Sequence, residues 1–254
     1  MRPYIITHMM TTVDGRIDCP VVGQLSTDEY YIALERLGAC SKLSGRVTAE
    51  LECPAVNTED TSAYTGTSIG KESFHVAQKA DEYTIVVDTH GKMHWRSNEA
   101  EGHPVLCIIS EDATQQYVDA LDNMGISWIA TGGTRIDMPR AMEILHDEFG
   151  VERLAIVGGG HICGGFLEAG LVDEASVMVA PGIDGRTGQT AMFDGVTDRG
   201  EEATDGVFEA FHGFARCLYG SVERGVIRGN GARNRGDIDN HPAMQQAYEM
   251  GKSV

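Results

Sequence analysis

The run Gly158-Gly159-Gly160-His161-Ile162-Cys163-Gly164-Gly165 follows Arg153-Leu154-Ala155-Ile156-Val157, an apolar stretch that reads as a buried strand. A helix is predicted over 161–169, stopping at Gly170. Glycine lets a backbone turn sharply and come close to a ligand. The start of the following helix offers N–H groups with no intrahelical partner and the positive end of a dipole. Together these suit a diphosphate and need no basic side chain. Positions 158 to 165 are therefore the candidate cofactor cradle. The same glycines would also serve a tight strand–helix turn that binds nothing. The G-x-G-x-x-G fingerprint fails here, because Gly158 and Gly160 would need glycine where Cys163 stands. No Lys-Ser or Lys-Thr follows, so the run is not a P-loop, and His161 reads as a spectator on the helix start.

Three further groups could do chemistry. Asp14-Gly15 is a turn signal at the end of the first strand. A carboxylate there could orient a substrate hydroxyl or amine, or relay a proton if burial raised its pKa; it could equally be a plain turn. Arg36 could grip a substrate phosphate or be a solvated helix arginine. His90 and His94 stand four apart, a metal spacing on a helix, but Gly91 and the strand before them argue for a loop and no third ligand is evident. No metal is expected.

These residues need a frame to hold them. Strands are expected at 3–9, 39–44, 83–88, 104–109, 126–130, 153–157 and 175–180, with helices after Ser26, over 112–123, from Asp137 and Pro139, and over 161–169. Residues 53–75 are rich in Thr, Ser, Gly and Asn and read as a loop beside a site. Val207–Phe211 and Ala215–Tyr219 are candidate final strands with no helix between them. Alternating strand and helix argues for an α/β fold with a mostly parallel central sheet and an antiparallel C-terminal edge. The expected domain covers 1–222, and 223–254 is a polar tail, either mobile or laid against a partner subunit.

Composition narrows the class. Acidic residues outnumber basic ones 38 to 20, for a net charge of −18, so nucleic acid is not an expected partner. No apolar stretch is long enough to span a membrane, and the N-terminus does not read as a signal peptide, so a cytoplasmic protein is expected. The six cysteines are scattered, without a C-x-x-C pair.

Three stretches give the chain a resemblance to the dihydrofolate-reductase-like family typified by the C-terminal reductase domain of the riboflavin-biosynthesis deaminase-reductase. They are Arg2-Pro3-Tyr4 through Val13-Asp14-Gly15-Arg16-Ile17, then Ser44-Gly45-Arg46-Val47-Thr48-Ala49-Glu50, and then Leu154 through Gly160 continued by Gly165 to Glu174 and Ala180-Pro181. The resemblance runs from about residue 2 to about 220. It implies a dihydrofolate-reductase-like three-layer sandwich, a homodimer, NADPH, and reduction of a small heterocyclic or carbonyl or imine substrate. It implies a diphosphate at Gly159 to Gly165, Thr48 beside the nicotinamide half, Thr89 near the adenosine end and Ser110 as a weaker neighbour there. Thr12 and Asp14 would border the reaction centre, and Arg36 falls near a substrate-contacting arginine. Apart from the resemblance, the location of Lys92 and Arg96 in the loop with His90 and His94 makes them candidates to meet the 2′-phosphate. Two departures matter. Val157 stands where the pathway enzymes carry a substrate-contacting glutamate, and residues 52–60 match their D-D-P-x-L-x-x-R segment poorly. No deaminase zinc motif is present. The other reading is a non-catalytic dimer that binds a nucleotide.

Overall fold

Runs of aliphatic and β-branched residues build a central sheet in the computed structural model of the chain, which describes residues 1–17, 22, 28–195 and 242–252. In chain order the elements are β1 (Tyr4–Thr12), α1 (Asp28–Glu35), β2 (Ser41–Gly45), α2 (Arg46–Glu52), β3 (Ser73–His75), β4 (Thr84–Val87), β5 (Glu99–Ala100), β6 (His103–Ile109), α3 (Gln115–Met124), β7 (Ser127–Ala130), α4 (Met138–Phe149), β8 (Arg153–Gly158), α5 (Gly160–Glu168), β9 (Glu174–Ala180) and α6 (Pro242–Lys252). The chain divides into two compact units, Met1–Val196 and Thr197–Val254.

In the first unit the strand order is β3-β7-β6-β4-β2-β8-β1-β9, with β5 beside β6. Every pair from β7 through to β9 is parallel; β3 on β7 and β5 on β6 are antiparallel. The mostly parallel α/β sheet expected from the alternation is therefore present. The candidate strands Val207–Phe211 and Ala215–Tyr219, and the boundary expected near residue 222, lie outside the described residues. The observed antiparallel edge is β3, inside the stretch 53–75 that was expected to be a loop throughout.

Alternation along each strand sorts the helices into two layers. Ile5, Met9, Leu43, Ile85, Leu106, Leu154 and Ile156 face α4 and α5, meeting Met142, Leu145, Phe149, Cys163 and Phe166. The opposite face takes α1, α2 and α3: Val86, Cys107 and Ile109 meet Ala49, Tyr117 and Leu121, while Ala155 meets Leu34. Helix ends follow local chemistry. The Asp137 side chain accepts from the Arg140 N–H and Pro139 sits in the first turn of α4, which ends at Gly150 in the left-handed region, φ 76°.

Two helices depart from expectation. α2 has seven residues and no side-chain cap at Gly45, so nothing in the sequence announces its start. Within the segment read as a tail, Pro242–Lys252 form α6, supported by Gln245 donating to Glu249 at 2.9 Å and Lys252 donating to it at 3.1 Å.

Candidate active site

Strand direction decides where ligands can sit. β2 connects onward to β4, whereas β8 connects past β1 to β9, so the chain leaves these neighbouring strands in opposite directions. In open α/β sheets such a switch opens a crevice at the carboxyl ends of the strands. Here the switch point lies between the start of α2 and the start of α5. The N-cap of each is a glycine, Gly45 and Gly159, and neither helix has a side-chain cap. The Ile162 and Cys163 amides of α5 both donate to the Gly159 carbonyl at 3.0 Å, which leaves the Gly160 and His161 amides at the helix start without an intrahelical carbonyl.

The two helix starts come close together because glycines line the approach. A Cβ on Gly158 would stand 2.8 Å from Thr48 Cγ2, and one on Gly159 would stand 3.3 Å from Thr48 Oγ1. A Cβ on Gly45 would meet Ile162 Cγ1 at 2.7 Å. Thr48 is therefore brought to the glycine bend, and its hydroxyl lies beside Gly159. The Gly158–Gly159 peptide is cis.

The run 158–165, expected as one cradle, has two flanks of different burial. Gly158, Gly160, Cys163 and Gly164 are buried, whereas Gly159, His161, Ile162 and Gly165 reach the surface. Gly160 and Gly164 face protein: a Cβ on the first would stand 2.0 Å from the Ala191 carbonyl oxygen, and on the second 2.1 Å from that of Asp194. Cys163 lies in the core under α5, and burial pushes its thiol up to about 12. At these three positions the side-chain side is taken up by protein. His161 is 77% exposed, with Asp194 3.8 Å away.

Thr12 and Asp14 close β1. The Thr12 hydroxyl donates to Asp14 Oδ1 at 2.7 Å, and the Asp184 and Gly185 N–H groups donate to the carboxylate at 3.1 and 3.0 Å. The Thr12 hydroxyl first, then the two amides, hold the Asp14 carboxyl well below the usual carboxylate range. The relay was expected only if burial raised the pKa; Asp14 is exposed and its carboxylate already accepts from three donors.

Val157 falls at the register shift where β2 passes from Leu43 opposite Ile156 to Ser44 opposite Gly158. It packs beside Tyr30, Leu34, Leu37, Cys40 and Ala155, an apolar wall under α1. Arg36 lies elsewhere. Arg153, the first residue of β8, donates to the Leu37 carbonyl at 3.1 Å, which fixes the end of α1 at the amino-terminal end of the strands. Gly158 ends the same strand, roughly 16 Å away at about 3.3 Å per residue. The structure therefore does not bring Arg36 to the bend. A hollow of about 610 Å³ lined by Cys40, Lys79, Asp81, Phe149 and Arg153 also opens at that far end.

Thr89 and Ser110 follow β4 and β6 along the carboxyl edge. The Thr89 carbonyl accepts from the Ser110 amide at 2.9 Å and its hydroxyl at 2.7 Å, so the Ser110 hydroxyl is spent on the loop. Asp88, buried beneath, accepts from the Lys92 and Met93 amides at 2.6 and 2.8 Å, and burial pushes its carboxyl up. Lys92 is exposed. Arg96 is held by Asn57 at 3.0 Å and by Glu59 at 3.4 Å. His94 is engaged with Tyr64 at 3.0 Å and the Ser62 carbonyl at 2.8 Å.

Sequence reasoning missed the link between β1 and α1. His8 is fully buried; its Nδ1 pairs with Ser176 Oγ at 2.9 Å and its Nε2 with the Tyr30 carbonyl at 3.1 Å, while the Tyr30 hydroxyl donates back to the His8 carbonyl at 3.2 Å. The signal was a histidine inside an apolar strand, which has to find partners when buried.

Comparison with known proteins adds three findings. The family described as the RibD C-terminal domain matches residues 3–206. The 2,5-diamino-6-ribosylamino-4(3H)-pyrimidinone 5′-phosphate reductase of Methanothermobacter thermautotrophicus is 27% identical over 199 residues, 77% of this chain and 85% of that protein. Among solved structures, a pyrimidine reductase-like protein from Corynebacterium diphtheriae aligns with TM-score 0.55 and 17% identity over 78% of this chain and 84% of that one. A diaminohydroxyphosphoribosylaminopyrimidine deaminase/5-amino-6-(5-phosphoribosylamino)uracil reductase from Thermotoga maritima aligns with TM-score 0.51 and 15% identity; the match covers 77% of this chain and 49% of that one, about half its length.

Proposed function

The chain belongs to the RibD C-terminal domain family, a family of reductases, and from that premise we propose that it is an NADPH-dependent reductase of a small heterocyclic, carbonyl or imine substrate. One observation carries the reading: the uncapped start of α5 at Gly159 stands at the β2–β8 switch point with the Thr48 hydroxyl beside it. The residues present fit a dinucleotide. The first-turn amides of α5 would hold the diphosphate, which an acidic protein can do with backbone alone. Thr48 would lie at the nicotinamide half, with Thr89 and Lys92 toward the adenosine end, the exposed lysine supplying the charge that separates NADPH from NADH. When bound, NADPH supplies the reducing equivalent.

The chain's own residues would bind, orient and exclude water. Gly159, His161, Ile162 and Gly165 form the open flank of the cradle. Thr12 and Asp14 would border the substrate, with Asp14 as a fixed negative charge rather than a proton donor. Val157 and the Tyr30 side of α1 would give the substrate an apolar wall, where a glutamate would have given a hydrogen-bond acceptor. A substrate related to the pyrimidinone phosphate of the archaeal relative is the first to test, with pterins, quinones and aldehydes beside it.

The test is NADPH oxidation by the pure protein across that panel. Turnover with at least one pyrimidine-like or carbonyl acceptor is the expected result. Cofactor binding with no oxidation of any member would favour the non-catalytic nucleotide-binding reading. The proposal also takes the protein to be a cytoplasmic homodimer. The exposed Val177 and Val179 on β9 supply apolar surface for a second copy to cover.

A further inference from the structure

Between Pro181 and Gly195 the chain lies across two parts of the site that are far apart in sequence. On one side it meets the turn after β1. The Val13 amide donates to the Gly182 carbonyl at 2.9 Å, Ile17 to Thr190 at 3.2 Å, and Met192 back to the Gly15 carbonyl at 3.2 Å. Arg16 Nη1 donates to the Gln189 carbonyl at 2.6 Å. The Asp14 carboxylate accepts from the amides of Asp184 and Gly185. On the other side the same strap rests on the first turn of α5. The Asp194 amide donates to the Gly160 carbonyl at 3.1 Å, and the Ala191 and Asp194 carbonyls fill the space that a Cβ on Gly160 or Gly164 would need.

We propose that Asp14 is a positioning residue that clamps the strap 182–195 onto the start of α5, and so sets the orientation of the amides that hold the cofactor. The inference rests on the reading of the α5 start as the cofactor cradle, but the mechanical part stands without it. Only an ionised carboxylate suits the clamp, since its two oxygens take up one hydroxyl and two amides, all donors. In Asp14→Asn one of those positions becomes an amide donor facing another donor. Gly160→Ala attacks the same contact from the other side, by lifting the strap off the helix.

Hydrogen exchange on the full chain tests the clamp without any ligand. Asp14→Asn should speed amide exchange in 182–195 and in the first turn of α5, by about tenfold or more for a lost charge-assisted contact, while α3 and α4 stay unchanged. NADPH titration then tests the functional link: Asp14→Asn and Gly160→Ala should each weaken binding about tenfold, and the double variant should weaken it by less than the product of the two. Faster exchange in the strap with α5 unchanged would overturn the clamp. So would an unaltered NADPH affinity in Asp14→Asn beside a slower reaction, because Asp14 would then act on the substrate directly. If the wild-type protein binds no NADPH, the function proposed above fails, and the exchange result alone decides the clamp.

Discussion

Val157 shows how one side chain narrows a function. It sits at the register shift between β2 and β8, half-buried among Tyr30, Leu34, Leu37, Cys40 and Ala155, an apolar surround. Val157→Glu should therefore destabilise the protein by about 1–3 kcal/mol, measured by urea unfolding, as for a polar group buried without a hydrogen bond. Unchanged stability would mean that the wall is open to water. His8 gives a second prediction at this scale. Burial lowers its pKa, so the unfolded chain takes up its proton first as pH falls. Stability should be full above the ordinary histidine value and decline below about pH 6.5, and His8→Phe should flatten that decline. Asp14 acts lower: its depressed pKa contributes stability above the ordinary carboxylate range that is lost as pH falls through and below it. Residue type and order pointed to the glycines, and Thr48 came with the family resemblance. The sequence was silent on what Asp14 binds, because Asp184 lies 170 residues away. It was silent too on where Arg36 lies, since helix direction decides which end of the sheet a residue reaches.

Adjacent glycines in α5 do different work. Gly160 meets the Ala191 carbonyl, whereas Gly165 has nothing within 4 Å of an added Cβ. Gly160→Ala should cost about 1–3 kcal/mol through overpacking. Gly165→Ala should be neutral or stabilise by roughly 0.5–1 kcal/mol, because alanine suits a helix interior better. Thermal unfolding of the two variants separates them, and equal losses would contradict the division of the run into two flanks. Long elements with strong periodicity or caps, such as α4 behind Asp137, were legible. α2 was not, being short and capped by a glycine, and β3 was hidden by its polar surroundings. Both are held by tertiary contacts rather than by local propensity.

On the proposed reading a chain with net charge −18 binds a polyanion, which needs a local reversal of field. Helix starts gathered on one edge of the parallel sheet would supply it. Among the described residues no helix is long and apolar enough to cross a membrane. Light scattering should give twice the 27.5 kDa chain mass if the dimer forms; a monomer would leave Val177 and Val179 to another role. The central claim is that the start of α5 seats a dinucleotide. Thermal unfolding with increasing NADPH tests it most directly. At about a hundredfold excess over Kd, a ligand that binds only the native state adds about 2.7 kcal/mol, raising Tm by roughly 5–10 °C for a chain of this size. The account predicts that rise, reduced in Asp14→Asn; a Tm unmoved by millimolar NADPH would contradict it.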